Sequence, residues 1–191
     1  MAMLQLLKGF PGKPSHPPLT DASIGAYTAA VAMLVAGALG LEAAQMAHGA
    51  LLALSLGLIL AAPTATTGLL DWLDLPKGSP ARATATLHLF TMVAATVLFA
   101  LTWLAQRPGY VDGEITTLGL ILGIVAEAVL AIGGTIGGSL AYVYGIRVLK
   151  RADAPVAAAL IPGRLPPEAP ADPRRPSPMP LDAGLRKEPR P

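Results

Sequence analysis

The chain reads as an all-α, polytopic membrane protein: a four-helix transmembrane bundle followed by a disordered C-terminal tail. Three observations predict this. Hydrophobic residues make up 53% of the 191 and charged residues only 14%, against about a quarter charged in ordinary soluble domains. The charges gather before the first apolar run, in short connectors and beyond Arg147. Between them lie apolar stretches of the roughly 20 residues that a helix needs to cross a bilayer.

The first span is expected over 23–41, after a polar arm at 1–22 whose "SHPPLTDA" ends in two possible N-caps, Thr20 and Asp21. Pro17 and Pro18 are expected outside that helix. The second span, 47–70, contains Pro63, which a membrane helix tolerates as a kink because neighbouring groups satisfy the freed carbonyl. The polar connector "DWLDLPKGSPARA" leads to the third span, 83–105, with Trp103 and Tyr110 placed to anchor at an interface. The fourth, 116–148, is longer than a perpendicular crossing needs and should tilt or project. Its "GGTIGG" sets Gly133 and Gly137, and Gly134 and Gly138, one turn apart, a spacing that lets helices approach closely within the bundle. From 151 to 191 the chain is rich in proline, alanine and arginine without apolar periodicity, the composition of a disordered tail. No internal repeat stands out.

The sequence has no cysteine, which excludes disulfides, thiolate metal sites and cysteine nucleophiles. A net charge of +2 gives no footprint for nucleic acid; the partner it implies is the lipid bilayer. Lys8, Lys13, Lys77, Arg82, Arg147, Lys150 and Arg151 fall on one side of a four-span topology, and Arg107 alone on the other. The positive-inside rule then places both termini in the cytoplasm of a bacterial inner membrane protein.

The polar residues inside the apolar runs and at their ends are the candidate site. His16, Asp21, Asp71 and His88 all belong to the cytoplasmic end in this topology. His88 sits about 8 Å along its helix at 1.5 Å per residue, at a level similar to Asp71, so a hydrogen bond between them is expected, with His16 closing one polar cluster. The first reading is a structural clamp on the helix ends; the functional alternative is a proton, ion or cofactor site. Glu127 lies about eleven residues into the fourth run, near mid-membrane, where it needs a partner such as a threonine or serves as a proton carrier. His48 opens the second span at the opposite face and is expected to be interfacial. No zinc motif, phosphate loop or catalytic triad is present, so no metal and no catalysis are expected.

"GFPGKPSHPPLTDASIG", "ATTGLLDW" and "ATLHLF", in this order, resemble the bacterial membrane family known as domain of unknown function 2231. The resemblance covers residues 10 to 150. It implies a four-helix membrane domain with a His-Pro element at His16 and Pro17, a Gly-x-x-Asp element at Gly68 and Asp71, and a third-helix histidine at His88. It also implies redox membrane partners, because some relatives look fused to Rieske-type iron–sulfur domains, which this chain lacks. The leading expectation is a structural or accessory subunit of a membrane complex. The alternatives are a haem-binding electron-transfer subunit using His88, with His16 as a second ligand, and a proton or small-solute pathway through Glu127, Asp71 and His88.

The topology makes a direct prediction. In intact cells a cysteine introduced at Lys13 or Arg174 should be shielded from an impermeant thiol reagent, while one at Asp112 should label. Labelling at one terminus alone would contradict an even number of spans.

Overall fold

The computed structural model describes residues 7–10, 12–149 and 154–161. A short antiparallel ribbon of β1 (Gly9–Phe10) and β2 (Lys13–Pro14) pairs Gly9 with Pro14 and Phe10 with Lys13. Four long helices follow: α1 (His16–Ala38), α2 (Ala43–Asp74), α3 (Pro80–Asp112) and α4 (Thr117–Tyr142). Each is long and apolar enough to cross a membrane. The protein is a multi-pass membrane protein, and outward side chains such as Ile59 and Phe90, 69% and 68% exposed, meet lipid. α1 packs on α2, α3 on α4, α2 on α3 and α1 on α4, the neighbour pattern of an up-down bundle. A fifth helix, α5 (Val156–Leu160), lies in the segment expected to be disordered. Its "VAAAL" is made largely of good helix formers behind a proline N-cap. The remainder of 151–191 falls outside the described residues.

The helix ends differ from the sequence expectation for local reasons. α1 begins at His16, with Ser15 as N-cap, so Thr20 and Asp21 lie inside the helix. Pro17 and Pro18 fit because the first-turn N–H groups have no intrahelical acceptor to lose. α2 runs without interruption through Pro63 to Asp74. α3 starts at Pro80, with the Ser79 hydroxyl capping the Arg82 N–H, and continues through Pro108 to Gly113, which closes it in the left-handed conformation at φ 70°. α4 stops at Tyr142, short of the expected 148. There Ile146 N–H bonds the Leu140 carbonyl and Gly145 N–H bonds Ala141, with Gly145 at φ 66°. These bonds span six and four residues, a wide closing turn that the left-handed Gly145 completes. It turns the chain back toward the end of α2.

The α3–α4 corner is held by Gln106, a fully buried amide. Its Nε2 donates to the Glu114 carbonyl at 2.8 Å, and its Oε1 accepts from Thr116 N–H and Oγ1, both at 3.1 Å. Thr116 in turn caps α4 through the Gly119 N–H.

At the centre, Tyr27 of α1 stacks on Phe99 of α3, with ring centroids 4.0 Å apart and planes 2° from parallel. α2 reaches the stack because position 57 is glycine: a Cβ there would stand 2.5 Å from Tyr27 Cε1. Ala126 of α4 is fully buried in the same core. Of the four glycines in "GGTIGG", Gly133 and Gly137 face α3, where an added Cβ would meet Met92 Sδ at 2.6 Å and His88 Cε1 at 2.7 Å. Gly134 has nothing within 4 Å and Gly138 meets only Tyr142 of its own helix. The expectation that both pairs pack closely therefore holds for one; neighbours in a helix point about 100° apart, so only one pair can face α3.

Replacing Gly57 by valine should drive the Tyr27 ring off Phe99, and Phe99→Ala should cost on the order of 3 kcal/mol. Thermal unfolding in detergent should register both as clear losses, while Gly134→Ala should leave the midpoint unchanged.

Candidate functional site

His88 lies roughly two turns into α3, where it meets α4. Its Nδ1 donates to the Gly133 carbonyl at 2.8 Å, and one turn further along α4 the absent side chain of Gly137 makes room for the ring. His16 opens α1 and uses the same contact on α2. Its Nδ1 donates to the Thr64 carbonyl at 3.0 Å, with Thr67 Oγ1 at 3.3 Å, and the ring lies over Gly68, where a Cβ would stand 2.6 Å from Cε1. A carbonyl can only accept, so in each neutral ring the proton sits on Nδ1 and the Nε2 lone pair is left free. Thr20 Oγ1 stands 3.5 Å from His16 Nε2, but its hydroxyl donates to the His16 carbonyl at 2.9 Å.

The expected hydrogen bond between Asp71 and His88 is absent, and with it the single cluster closed by His16. Asp71 instead accepts from Arg147, through Nε at 2.9 Å and Nη2 at 2.5 Å. A guanidinium offers a carboxylate two charge-assisted donors, which a neutral imidazole does not. The chain reversal after α4 brings Arg147 within reach; the residue itself has φ 59°, in the left-handed region. Arg147 Nη2 also approaches Asp74 at 3.4 Å, and Asp74 takes Lys8 Nζ at 2.7 Å. Lys8 of the N-terminal arm thus joins the ion pairs at this end of the bundle. Asp21 is exposed and makes no hydrogen bond or ion pair among the described residues. Five residues past His16, it points about 140° away round the helix.

Glu127 sits on the outer α1–α4 seam. Its Oε1 accepts from Thr28 Oγ1 at 2.9 Å, and its Oε2 is buried without a partner among the described residues. Neither Asp71 nor His88 contacts it, so the three residues proposed for a pathway are not brought together. His48 lies at the opposite end of the bundle: it is exposed, donates from Nε2 to the Tyr110 carbonyl at 2.8 Å, and lies with its ring centroid 4.7 Å from that of Tyr110. The connector side of the polar end is built around Arg82, whose Nη1 donates to the Leu75 carbonyl at 2.7 Å and whose guanidinium lies 4.0 Å over the Trp72 ring.

Apart from Lys8, this arrangement falls within residues 12–150, which match the model of a family described as a predicted membrane protein, DUF2231. The chain belongs to the DUF2231 family. The matched segment holds His16, Gly68, Asp71, His88 and Arg147, and leaves out Lys8 and the tail. No curated protein and no solved structure matches the chain. Sequence reasoning about this DUF2231 domain missed the backbone carbonyls of Thr64 and Gly133, which carry no side-chain signal. It also missed the role of Gly68 and Gly137 as seats for imidazole rings. The Gly-x-x-Asp spacing of Gly68 and Asp71 is the trace of the first of these seats.

The two polar systems should be energetically separate. Asp71→Asn and Arg147→Leu should couple in a double-mutant cycle by about 1 to 3 kcal/mol, read from unfolding in detergent. His88→Leu and Asp71→Asn should add without coupling, since they share no partner.

Proposed function

We propose that the protein is an accessory electron-transfer subunit of a bacterial inner membrane complex, holding a haem at His88. In this reading both termini are cytoplasmic, the histidine end of the bundle faces the cytoplasm, and the chain carries electrons without catalysing a group transfer. The observation that carries the reading is the state of the imidazole. Its Nδ1 is spent on the Gly133 carbonyl at 2.8 Å, which orients the ring and raises the basicity of the free Nε2, as second-shell bonds do for metal-ligating histidines. Haem iron accepts such a neutral nitrogen as an axial ligand. Asp71, the acid at a similar depth, is already engaged by Arg147, so the donor left at this end is imidazole nitrogen.

A second reading, a purely structural accessory subunit, is favoured by the Lys8–Asp74–Arg147–Asp71 network. That network ties the arm, α2 and the segment after α4 together with no cofactor, and the histidines would then only clamp helix pairs. An absorption spectrum separates the two. Full-length protein purified from haem-replete membranes should show a Soret band that shifts on dithionite reduction and is lost in His88→Ala. A colourless protein would sink the electron-transfer reading and leave the structural one.

A further inference from the structure

The two helical hairpins bury corresponding positions. Ser23, Tyr27, Ala30, Leu34 and Gly37 of α1 are buried, and so are the residues 72 positions later in α3. Ala50, Leu54, Gly57 and Thr64 of α2 stand in the same relation to buried residues 69 positions later in α4. His16 and His88, the acceptors Thr64 and Gly133, and the seats Gly68 and Gly137 follow the same two offsets. Beside these shared positions the hairpins differ. Ser15, Pro63 and Thr67 have Leu87, Ile132 and Ile136 as counterparts. Where the second hairpin carries long apolar side chains, the first carries compact ones. An open groove of about 400 Å³ is left there, lined by Leu7, Ser15, Leu19, Pro63, Thr66 and Thr67.

The groove follows the α1–α2 seam. Ser15 to Leu19 and Thr67 to Pro63 each cover about one turn, roughly 6 Å. Its body is apolar in character, because Thr66 and Thr67 donate their hydroxyls to the Ala62 and Pro63 carbonyls of their own helix, at 2.9 and 3.0 Å. Its mouth is polar. A serine N-cap bonds the N–H of the second or third helical residue. In α1 those residues are Pro17 and Pro18, which have no N–H to offer. The Ser15 hydroxyl therefore makes no capping bond. Two residues before it, Lys13 is exposed and has no acidic partner among the described residues. Lys8, next to Leu7, is taken by Asp74. None of the lining residues is acidic, and Asp21 points about 200° round α1 from Leu19.

We propose that this groove binds one anionic glycerophospholipid, with an acyl chain along the α1–α2 seam and the phosphate at Ser15 and Lys13. α1 and α2 are both membrane-spanning helices, so an acyl chain is the apolar group that the surroundings supply to the seam between them. The arm that forms the mouth also carries Lys8 to the ion pairs at the polar end of the bundle, which puts the mouth at headgroup level. There Lys13 attracts a negative headgroup, and the unspent Ser15 hydroxyl donates to a phosphate oxygen. A zwitterionic lipid has no net charge and loses that attraction. The site is independent of either reading of the histidines.

The test is native mass spectrometry of the full-length protein in detergent, with phosphatidylglycerol or phosphatidylcholine of the same acyl chains added. Wild-type protein should retain one phosphatidylglycerol, with a preference over phosphatidylcholine of roughly fivefold, the effect of one lysine near a headgroup. Lys13→Gln should erase the preference, while Lys77→Gln, at another exposed lysine of the same end, should leave it intact. Thr66→Phe should fill the groove and remove the retained lipid. Thr135→Phe, at the corresponding position of α4, should not. Both threonines are exposed and bond only to their own helix, so neither change enters the core, and an unchanged melting temperature verifies this for each variant. Equal retention of the two lipids by the wild type, or a preference that survives Lys13→Gln, would overturn the headgroup assignment. Wild-type retention in a folded Thr66→Phe protein would overturn the groove.

Discussion

In lipid, apolar surface gives helices no reason to prefer one another over acyl chains, so association depends on close packing and interhelical hydrogen bonds. In this bundle that packing is a ring laid on a residue too small to push it away. Tyr27 lies on Gly57, His16 on Gly68 and His88 on Gly137, and the fully buried Phe99 and Ala126 share the central core. Each ring comes from an odd-numbered helix and each small residue from the helix after it. The spacing within both hairpins follows from this contact. So does the approach of α1 to α3, since the Tyr27 and Phe99 rings can stack at 4.0 Å only if their own hairpins have closed around them.

One level supplies bulk and the other supplies nitrogen. At the stack, two aromatic faces meet and fill the axis. Three turns away, the corresponding rings are imidazoles that have turned one nitrogen to a backbone carbonyl and kept the other. The same scaffold therefore yields a closed core at one depth and a pair of equivalent donors at another.

The places where the halves differ are equally informative. Asp71 has Leu140 as its counterpart, and Thr28 and Glu127 have Ala100 and Leu58. The ion-pair network and the carboxyl on the outer seam are thus additions to an apolar plan rather than parts of it. The network depends on the chain reversing at Gly145 after α4, which delivers Arg147 to an acid from the first hairpin. Because the acid is occupied in this way, the imidazoles are left to other partners.

Membrane character, the number of spans and the residues worth attention were legible in the chain, because apolar runs of bilayer length and ionisable groups inside them are one-dimensional signals. His88 and Glu127 stood out on those grounds, and His16 and Asp71 because they flank the runs at the same end of the bundle. The partners did not, and the reasons are physical. A backbone carbonyl looks the same at every position, so nothing in the letters marks Thr64 or Gly133 as acceptors. Asp71 was matched to His88 by depth alone, while Arg147 reaches it through a left-handed turn that no periodicity announces. The start of α1 at His16 was hidden by prolines, which read as helix breakers until their first-turn position is known. The internal repeat was hidden because membrane helices share a small apolar vocabulary, and what the two halves hold in common is the burial of particular positions. The sequence by itself determined that this is a four-span protein with histidines in or beside its apolar runs. Tertiary packing decided that two of those histidines are equivalent, since equivalence lies in which ring meets which glycine across a helix pair.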